Sequence, residues 1–385
     1  MKKLCIIMLL ALILCFMVGC QDKAANVERF MEDGVEVIVN HLEPYKIRGE
    51  PSTLFLEETF TIDTERDDIA EIGLTDIWSV DVDSEDNIYL LNYLANKDAI
   101  FKFDNKGNFV TSFGGKGQGP GELRRASYLR VSPKDDIQVT DQDKKLVIFN
   151  KDGSYKNQIL FKALYLEALL LGNGNYLVKK FVPTPETKYM EFPLILLNGE
   201  FEEIKELDRH RRPDHNIGEE FVLPFHKSGN CVSEGQIYVG NTEMGYEIRV
   251  YDFEGNLKKK IRKEYQPVNV HQKMKQEIMN QYDSFYTSRR YSFRSHCPAF
   301  RYFFIDDEGC LFVMTYEKSE ISGEYIHDVF NPDGLFVARI SLGNPGFFPT
   351  LYNNKFATAR NKRLYCLREK DSGYKELVVY RMIWK

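Results

Sequence analysis

The sequence is short of proline and tryptophan, carries no surplus of positive charge, and contains a single long apolar run. Its 14 Pro among 385 residues are too few for a proline-rich stalk or an extended linker. Lys and Arg number 51 against 57 Asp and Glu, a formal net charge of −6. A general nucleic-acid binder needs a net basic face, so that class falls away. No two cysteines stand in C-x-x-C spacing, and no common zinc motif is indicated. No glycine loop ends in the Lys-Ser or Lys-Thr of a P-loop, and no Gly-x-Ser-x-Gly elbow occurs. What is there is ordinary globular material: 43% hydrophobic, 13% aromatic and 28% charged residues. Twenty-seven Phe and 22 Tyr favour strands, and a chain of this length can bury a sizeable core.

The apolar run opens the chain. Lys2 and Lys3 form a charged start, and Leu4 to Val18 is unbroken apolar sequence. The run is shorter than the roughly 20 residues that span a bilayer, and it suits the central region of a signal peptide. It ends in Met17-Val18-Gly19-Cys20, which resembles a lipobox, the site where bacterial lipoproteins are cleaved and acylated on the new N-terminal Cys. The resemblance implies a signal peptide over 1–19, lipid on Cys20, and a place in the cell envelope, in the outer membrane. Loss of Lys2 and Lys3 takes the charge from −6 to −8, so membrane attachment rests on acyl chains, not on a basic patch. Residues 20–51 read as a lipidated tether, in which the alternating patch Val35–Val39 can add a short strand. Cys5 and Cys15 leave with the leader. The remaining Cys231, Cys297, Cys310 and Cys366 allow three disulfide pairings in an oxidising compartment, and buried free thiols are the other reading.

Internal repetition is the strongest signal. An apolar strand ends in an aromatic residue or Leu, a polar turn with Gly follows, and then another strand. Copies run from Ile100 to Gly107, Leu146 to Gly153, Ile248 to Gly255 and His327 to Gly334, with a shortened one from Leu194 to Gly199 and a last at Leu377–Tyr380. A companion strand precedes each, at Asn87–Leu90, Asp136–Val139, Asn175–Val178, Gln236–Val239, Cys310–Val313 and Arg363–Cys366. The turns between are rich in the residues that a tight hairpin needs. The strand ends Phe103, Phe149, Leu197, Tyr251, Phe330 and Tyr380 lie 46, 48, 54, 79 and 50 residues apart. Six such units predict an all-β fold, a six-bladed β-propeller of four-stranded antiparallel blades over residues 52–385. The sixth unit lacks its outermost strand, and Leu54–Ile62 is placed to supply it and close the ring. The long interval marks an insertion between blades four and five, residues 263–300. Within it 267–282 predicts a helix, with Val270, Met274, Ile278 and Tyr282 in one apolar stripe.

The segment Phe113-Gly-Gly-Lys-Gly-Gln-Gly-Pro-Gly-Glu-Leu123 resembles the interblade turn of NHL-type repeats. Similar segments occur in six-bladed propeller lipoproteins of Gram-negative bacteria, which are similar in fold to the TolB-like propeller superfamily. The resemblance covers about residues 52–385 and implies fold and compartment. Most of that family has no assigned activity.

Several clusters invite chemistry. Gly114 to Gly121 lacks the strand–helix setting of a phosphate loop, and reads as a turn. Asp81, Asp83, Glu85 and Asp86 alternate as calcium ligands do, but Asp86 stands where an EF-hand loop requires Gly, so a strand running into a hairpin is the reading. His210, His215 and His226 match no metal or hydrolase spacing. In the insertion, aromatic and basic residues crowd together: Tyr286, Arg289, Arg290, Tyr291, Arg294 and His296 are the candidate ligand-binding residues. Aromatic faces and guanidinium forks dominate binding hot spots. The plainer account packs the aromatics onto blades four and five and leaves the arginines solvated. These readings predict a lipid-anchored propeller that binds or scaffolds a glycan, a peptide or an envelope protein, without catalysis and without a cofactor. Two further readings stay open: a metal-dependent hydrolase or lactonase with a divalent cation on the axis, and a purely structural assembly lipoprotein.

Overall fold

The computed structural model describes residues 27–46, 53–92, 97–142, 144–184, 189–213, 220–233, 235–283, 290–342 and 356–385. Their strands form six small, mainly antiparallel blades around an axis. From the axis outward, blade one is Ile77–Val82, Ile88–Asn92, Asp98–Phe103 and Phe109–Gly115, and blade two is Ala126–Val131, Ile137–Asp141, Lys145–Phe149 and Tyr155–Leu160. Blade three has Tyr165–Leu170, Tyr176–Lys180, Tyr189–Leu197 and Glu203–Pro213, with the short Val182–Thr184 also on its third strand. Blade four begins with Ser228–Ser233, Gln236–Asn241, Glu247–Asp252 and Leu257–Lys263; blade five has Tyr302–Ile305, Leu311–Lys318, Tyr325–Phe330 and Phe336–Leu342. Blade six takes Ala357–Arg360, Arg363–Glu369 and Lys375–Trp384 from the end of the chain, and Leu54–Asp63 as its outermost strand. The ring is thus closed by the N-terminal strand, antiparallel from Trp384 opposite Leu54 to Glu376 opposite Asp63.

Blades stack face to face, so both faces of their inner strands are covered and these strands read as near-continuous apolar runs. Each pair of neighbours shares one buried cluster. Val80, Leu90, Phe101 and Phe103 of blade one meet Tyr365, Leu377 and Val379 of blade six, for example. Phe304 and Phe312 of blade five, stacked at 4.8 Å, meet Leu364 and Cys366 of blade six.

The repeat has a local cause. The residue at or just after the end of the third strand is Asp104, Asn150, Asn198, Asp252 or Asn331 in blades one to five. The Asp104 carboxylate accepts from the N–H groups of Lys106 and Asn108, both at 2.9 Å, and Asp252 holds Glu254 and Asn256 in the same way. The residue three further on must then take positive φ, which favours Gly. Gly153 has φ +89°, and a Cβ there would lie 2.6 Å from the Phe113 ring of blade one. This glycine therefore serves both the turn and the contact between blades. Blade three follows the same geometry with a different residue. Its copy is not shortened to Gly199: Asn198 accepts from Glu200 and Glu202, and Phe201 takes φ +66°. The Phe201 ring then packs on Phe161 and Tyr176.

Part of the stretch expected as a tether is folded. Val27–Glu32 and Val35–Asn40 form a hairpin whose second arm runs parallel to Leu257–Lys263, extending blade four to six strands. Val37 and Ile38 are fully buried. The Asn40 amide donates to the Gly334 carbonyl at 2.9 Å and accepts from the Phe336 N–H at 2.8 Å. Glu32 receives Lys260 at 3.0 Å and Arg262 at 2.8 Å.

The insertion carries one helix, α2 (Gln272–Asp283); a single turn, α1 (Asp67–Glu71), precedes blade one. The start of α2 lies five residues beyond the one that the apolar stripe predicts. Residues 268–270 are instead engaged with 295–297, through Cys297 N–H to the Val268 carbonyl and Val270 N–H to the Ser295 carbonyl. Val270, Met274 and Ile278 of the stripe are buried against Leu223, Phe225, Cys297 and Tyr316. Cys231, Cys297, Cys310 and Cys366 are all free thiols. No described helix is long and apolar enough to cross a membrane.

Candidate functional site

The inner strands of blades one, two, four, five and six surround a cavity of 140 Å³ on the axis, at the end where each inner strand turns into the second. Tyr128, Tyr302 and Phe304 supply aromatic wall, and Arg130, Arg360, Asp81, Asp306 and Asp307 supply charge. Side chains tie the inner strands to one another around it. Asp81 is buried and accepts from the N–H groups of Val82 and, across to blade two, Val131, both at 2.9 Å. The Arg130 guanidinium donates to the Val232 carbonyl of blade four, and that of Arg360 reaches the Val82 carbonyl of blade one at 3.5 Å. The Tyr302 hydroxyl donates to the Ala357 carbonyl at 3.4 Å. Such bonds fix Tyr302 and the charged groups before any ligand arrives.

Burial shapes the acidity of these groups. The Tyr128 and Tyr302 hydroxyls are held well above the ordinary phenol range by burial; Glu167 adds to this for Tyr128, and Cys231 for Tyr302. Asp306 caps the turn after the first strand of blade five, accepting from Glu308 N–H at 3.0 Å and Cys310 N–H at 2.7 Å. Burial nevertheless pushes its carboxyl up to about 7, with Asp307 and Glu308 adding to the rise against the turn's N–H groups. Asp252, in a similar turn on the surface, goes the other way. Burial still works to raise it, but Asn256 and Lys258 pull it down to about 2. The turn is shared, and burial decides the sign.

Asp83 closes the acidic run as a hairpin cap, accepting from Glu85 and Asn87 N–H at 2.9 Å and from the Tyr89 hydroxyl at 3.0 Å. Among the described residues, no group of three or more His, Cys, Asp or Glu converges in a way that could hold a metal ion.

The insertion lies at the opposite end, where the inner strands begin. Of the candidate residues, Cys20, Tyr286 and Arg289 lie outside the described residues. Arg290 opens the strand Arg290–Phe293, which runs parallel to Glu220–Leu223. Tyr291 and Phe293 pack partly buried against the α2 cluster. Arg294 is engaged with the Pro224 carbonyl at 3.2 Å, and His296 is exposed beside Ser295 at 2.9 Å. At the base of the insertion, blades three to five gather further basic groups. His210 is buried 3.9 Å from Glu243 and held well below its usual range by burial, then by Arg212 and Lys179. His226 bonds the Thr242 hydroxyl at 3.2 Å and is lowered by burial and by Arg294. Lys227 is brought down to about 7 by burial, with Arg212 and Arg301 adding to it. His215 lies outside the described residues.

Arg130 and Arg360 were not singled out by sequence reasoning. The available signal was a lone Arg in an apolar inner strand just before its turn, as in Tyr128-Leu129-Arg130-Val131. Periodicity assigns such an Arg to a face of the strand, but only the ring shows that this face looks onto the axis.

Comparison with known proteins gives the same architecture. The family model DUF5128, described as a 6-bladed beta-propeller, matches residues 70–229. Among curated proteins nothing matches the sequence. Among solved structures, a "Putative exported protein" of Bacteroides fragilis is similar with a TM-score of 0.54 at 13% identity, covering 90% of this chain and 99% of its own. A member of the duf4221 family from Bacteroides vulgatus is similar at 0.52 and 11% identity, covering 87% and 100%.

Proposed function

We propose that this chain is a lipid-anchored β-propeller of the cell envelope, held in the outer membrane through Cys20, that binds a ligand on its axis without transforming it. The turn Gly117–Glu122 belongs, on this reading, with NHL-type repeats of the TolB-like superfamily. The observation that carries the binding role is the axial cavity itself. Its Tyr302 and its guanidinium groups are fixed by bonds to neighbouring inner strands, which is the preorganisation that recognition rewards. A glycan, a peptide or a segment of an envelope protein presents the rings and polar edges that such a wall accepts. The insertion offers Tyr291, Arg294 and His296 at the other end as a second, outer surface for a protein partner.

Anchoring and binding are tested together. Cys20→Ser is expected to move the protein from the membrane to the soluble fraction while leaving its thermal unfolding unchanged. A variant that stays membrane-bound removes the lipid anchor from the reading. A thermal-shift screen of the same variant against monosaccharides, short peptides and divalent ions tests the ligand class. Stabilisation by a metal alone overturns binding without catalysis in favour of an axial metal enzyme.

A further inference from the structure

The two guanidinium groups in the axial cavity make few contacts for their charge. Arg130 and Arg360 stand half-buried on strands with no other charged residue, on either side of blade one. Each makes one hydrogen bond, to a backbone carbonyl: Arg130 to Val232 and Arg360 to Val82. A guanidinium has five N–H donors in a rigid fork, so a single carbonyl leaves most of each fork unused. Among the described residues neither has an acidic partner within ion-pair distance, although three aspartates line the same cavity. Those aspartates are occupied elsewhere. Asp81 binds the backbone of blades one and two, Asp306 caps its own turn, and Asp307 accepts from Asn361 N–H at 3.0 Å. Among the described residues, the two guanidinium groups therefore have no carboxylate in direct contact, although Asp81, Asp306 and Asp307 line the same cavity. This happens in a chain whose net charge is −6, where other arginines such as Arg339 and Arg249 pair with buried aspartates, Asp328 at 3.0 Å and Asp208 at 2.7 Å.

Taking charges out of water is costly unless they are matched. A structural tie to a carbonyl needs one donor and no charge, and a neutral side chain would provide it. Forked cations with most of their donors unengaged, beside Tyr128, Tyr302 and Phe304, are what receives a flat or tetrahedral oxyanion whose remainder is apolar or ring-like.

Resting on the binding role above, we propose that the axial cavity takes a small ligand bearing an oxyanion, a carboxylate or a phosphate, received by Arg130 and Arg360. The aromatic wall packs against the rest of the ligand. A volume of 140 Å³ accommodates a group about the size of one sugar ring or one amino-acid side chain, which a larger partner can present as a terminus.

The test uses the full-length protein in detergent, titrated by calorimetry at constant ionic strength with glucuronate, glucose 6-phosphate, acetate, inorganic phosphate and neutral glucose. Binding of one or more of the anions, and weaker binding of glucose, is expected. Arg130→Gln and Arg360→Gln, which keep an N–H donor for the carbonyl ties, are each expected to weaken the anion at least tenfold. Arg130→Lys is expected to restore part of that loss, since it returns the charge without the fork. Should Arg130→Gln not fold, Arg360→Gln carries the same reading, because its tie to Val82 is the weaker one. Preference for glucuronate over glucose 6-phosphate identifies a carboxylate source, and the reverse a phosphate. Glucose bound as tightly as glucuronate, with both Gln variants unaltered, overturns the oxyanion while leaving the axial binding role in place. No binding in either the anionic or the neutral series overturns both.

Discussion

Asp306 and His327 sit in the same blade and are both forced into the neutral form, with opposite consequences for stability. Asp306 is pushed up to about 7, against roughly 4 in an unfolded chain. Between those values the native state keeps a proton that the unfolded chain has released, so this group's contribution declines as pH rises through the window. His327, buried against Phe304 and bonded to the Tyr325 carbonyl, is brought down to about 3 by burial, with Arg301 adding and the Tyr325 bond opposing. Between about 3 and roughly 6.5 the unfolded chain binds a proton that the native state refuses, so its contribution grows as pH rises. The two partly cancel in the wild type, and single variants separate them. Asp306→Asn keeps the acceptor for Glu308 and Cys310 N–H. Relative to wild type it is expected to gain steadily as pH rises from about 4 to about 7, by a few kcal/mol at most. His327→Gln is expected to gain relative to wild type as pH falls from about 7 to 4. Urea unfolding at several pH values reads both. A difference from wild type that stays flat across pH in either variant would refute the burial argument for that residue.

At the scale of the element, the unit of construction is the turn after each third strand, and it explains what was legible in the sequence. Asx followed three residues later by Gly is a chemical requirement of that turn, so it survives in a linear reading at Asp104, Asn150, Asp252 and Asn331. Blade three hid the rule because Phe201 occupies the Gly position and fills the gap between blades with its own ring. Gly153 and Gly174 share φ +89°, but a Cβ at Gly153 meets Phe113 while one at Gly174 meets nothing within 4 Å. Gly174→Ala is expected to lose about 1 kcal/mol from backbone strain alone. Gly153→Ala should lose about 2–3 kcal/mol, the excess measuring contact between blades one and two. Equal losses in denaturant titrations would mean that Phe113 gives way freely. The hairpin Val27–Asn40 was legible only as the patch Val35–Val39, because its first arm, with Glu28, Arg29 and Glu32, looks like a polar tether. What folds it is a partner far away in sequence, the outer edge of blade four, where Leu257–Lys263 pairs with its second arm and gives Glu32 two cations. The axial arginines escaped for a related reason, since strand periodicity carries no information about which face meets the axis.

For the whole molecule the decisive contact joins Leu54–Asp63 to Lys375–Trp384, and Leu377 and Val379 from that pairing are buried with Phe101 and Phe103 of blade one. Removing residues 375–385 is therefore expected to expose blade one as well as blade six. Hydrogen exchange at Ile88–Phe103 is expected to speed up along with Arg363–Glu369; unchanged protection there would mean that five blades stand without closure. The same pairing has a consequence in time. A chain is made from its amino end, so Leu54–Asp63 is among the first strands to emerge and the last to find its partner. Throughout synthesis its backbone donors and acceptors, with Phe55 and Phe60 beside them, are open to any other strand edge in reach. Contacts so distant along the chain form late. The most hazardous interval for this protein ends only when Lys375–Trp384 is free to pair, and whatever shields the unfolded chain from its neighbours matters most for that one early strand.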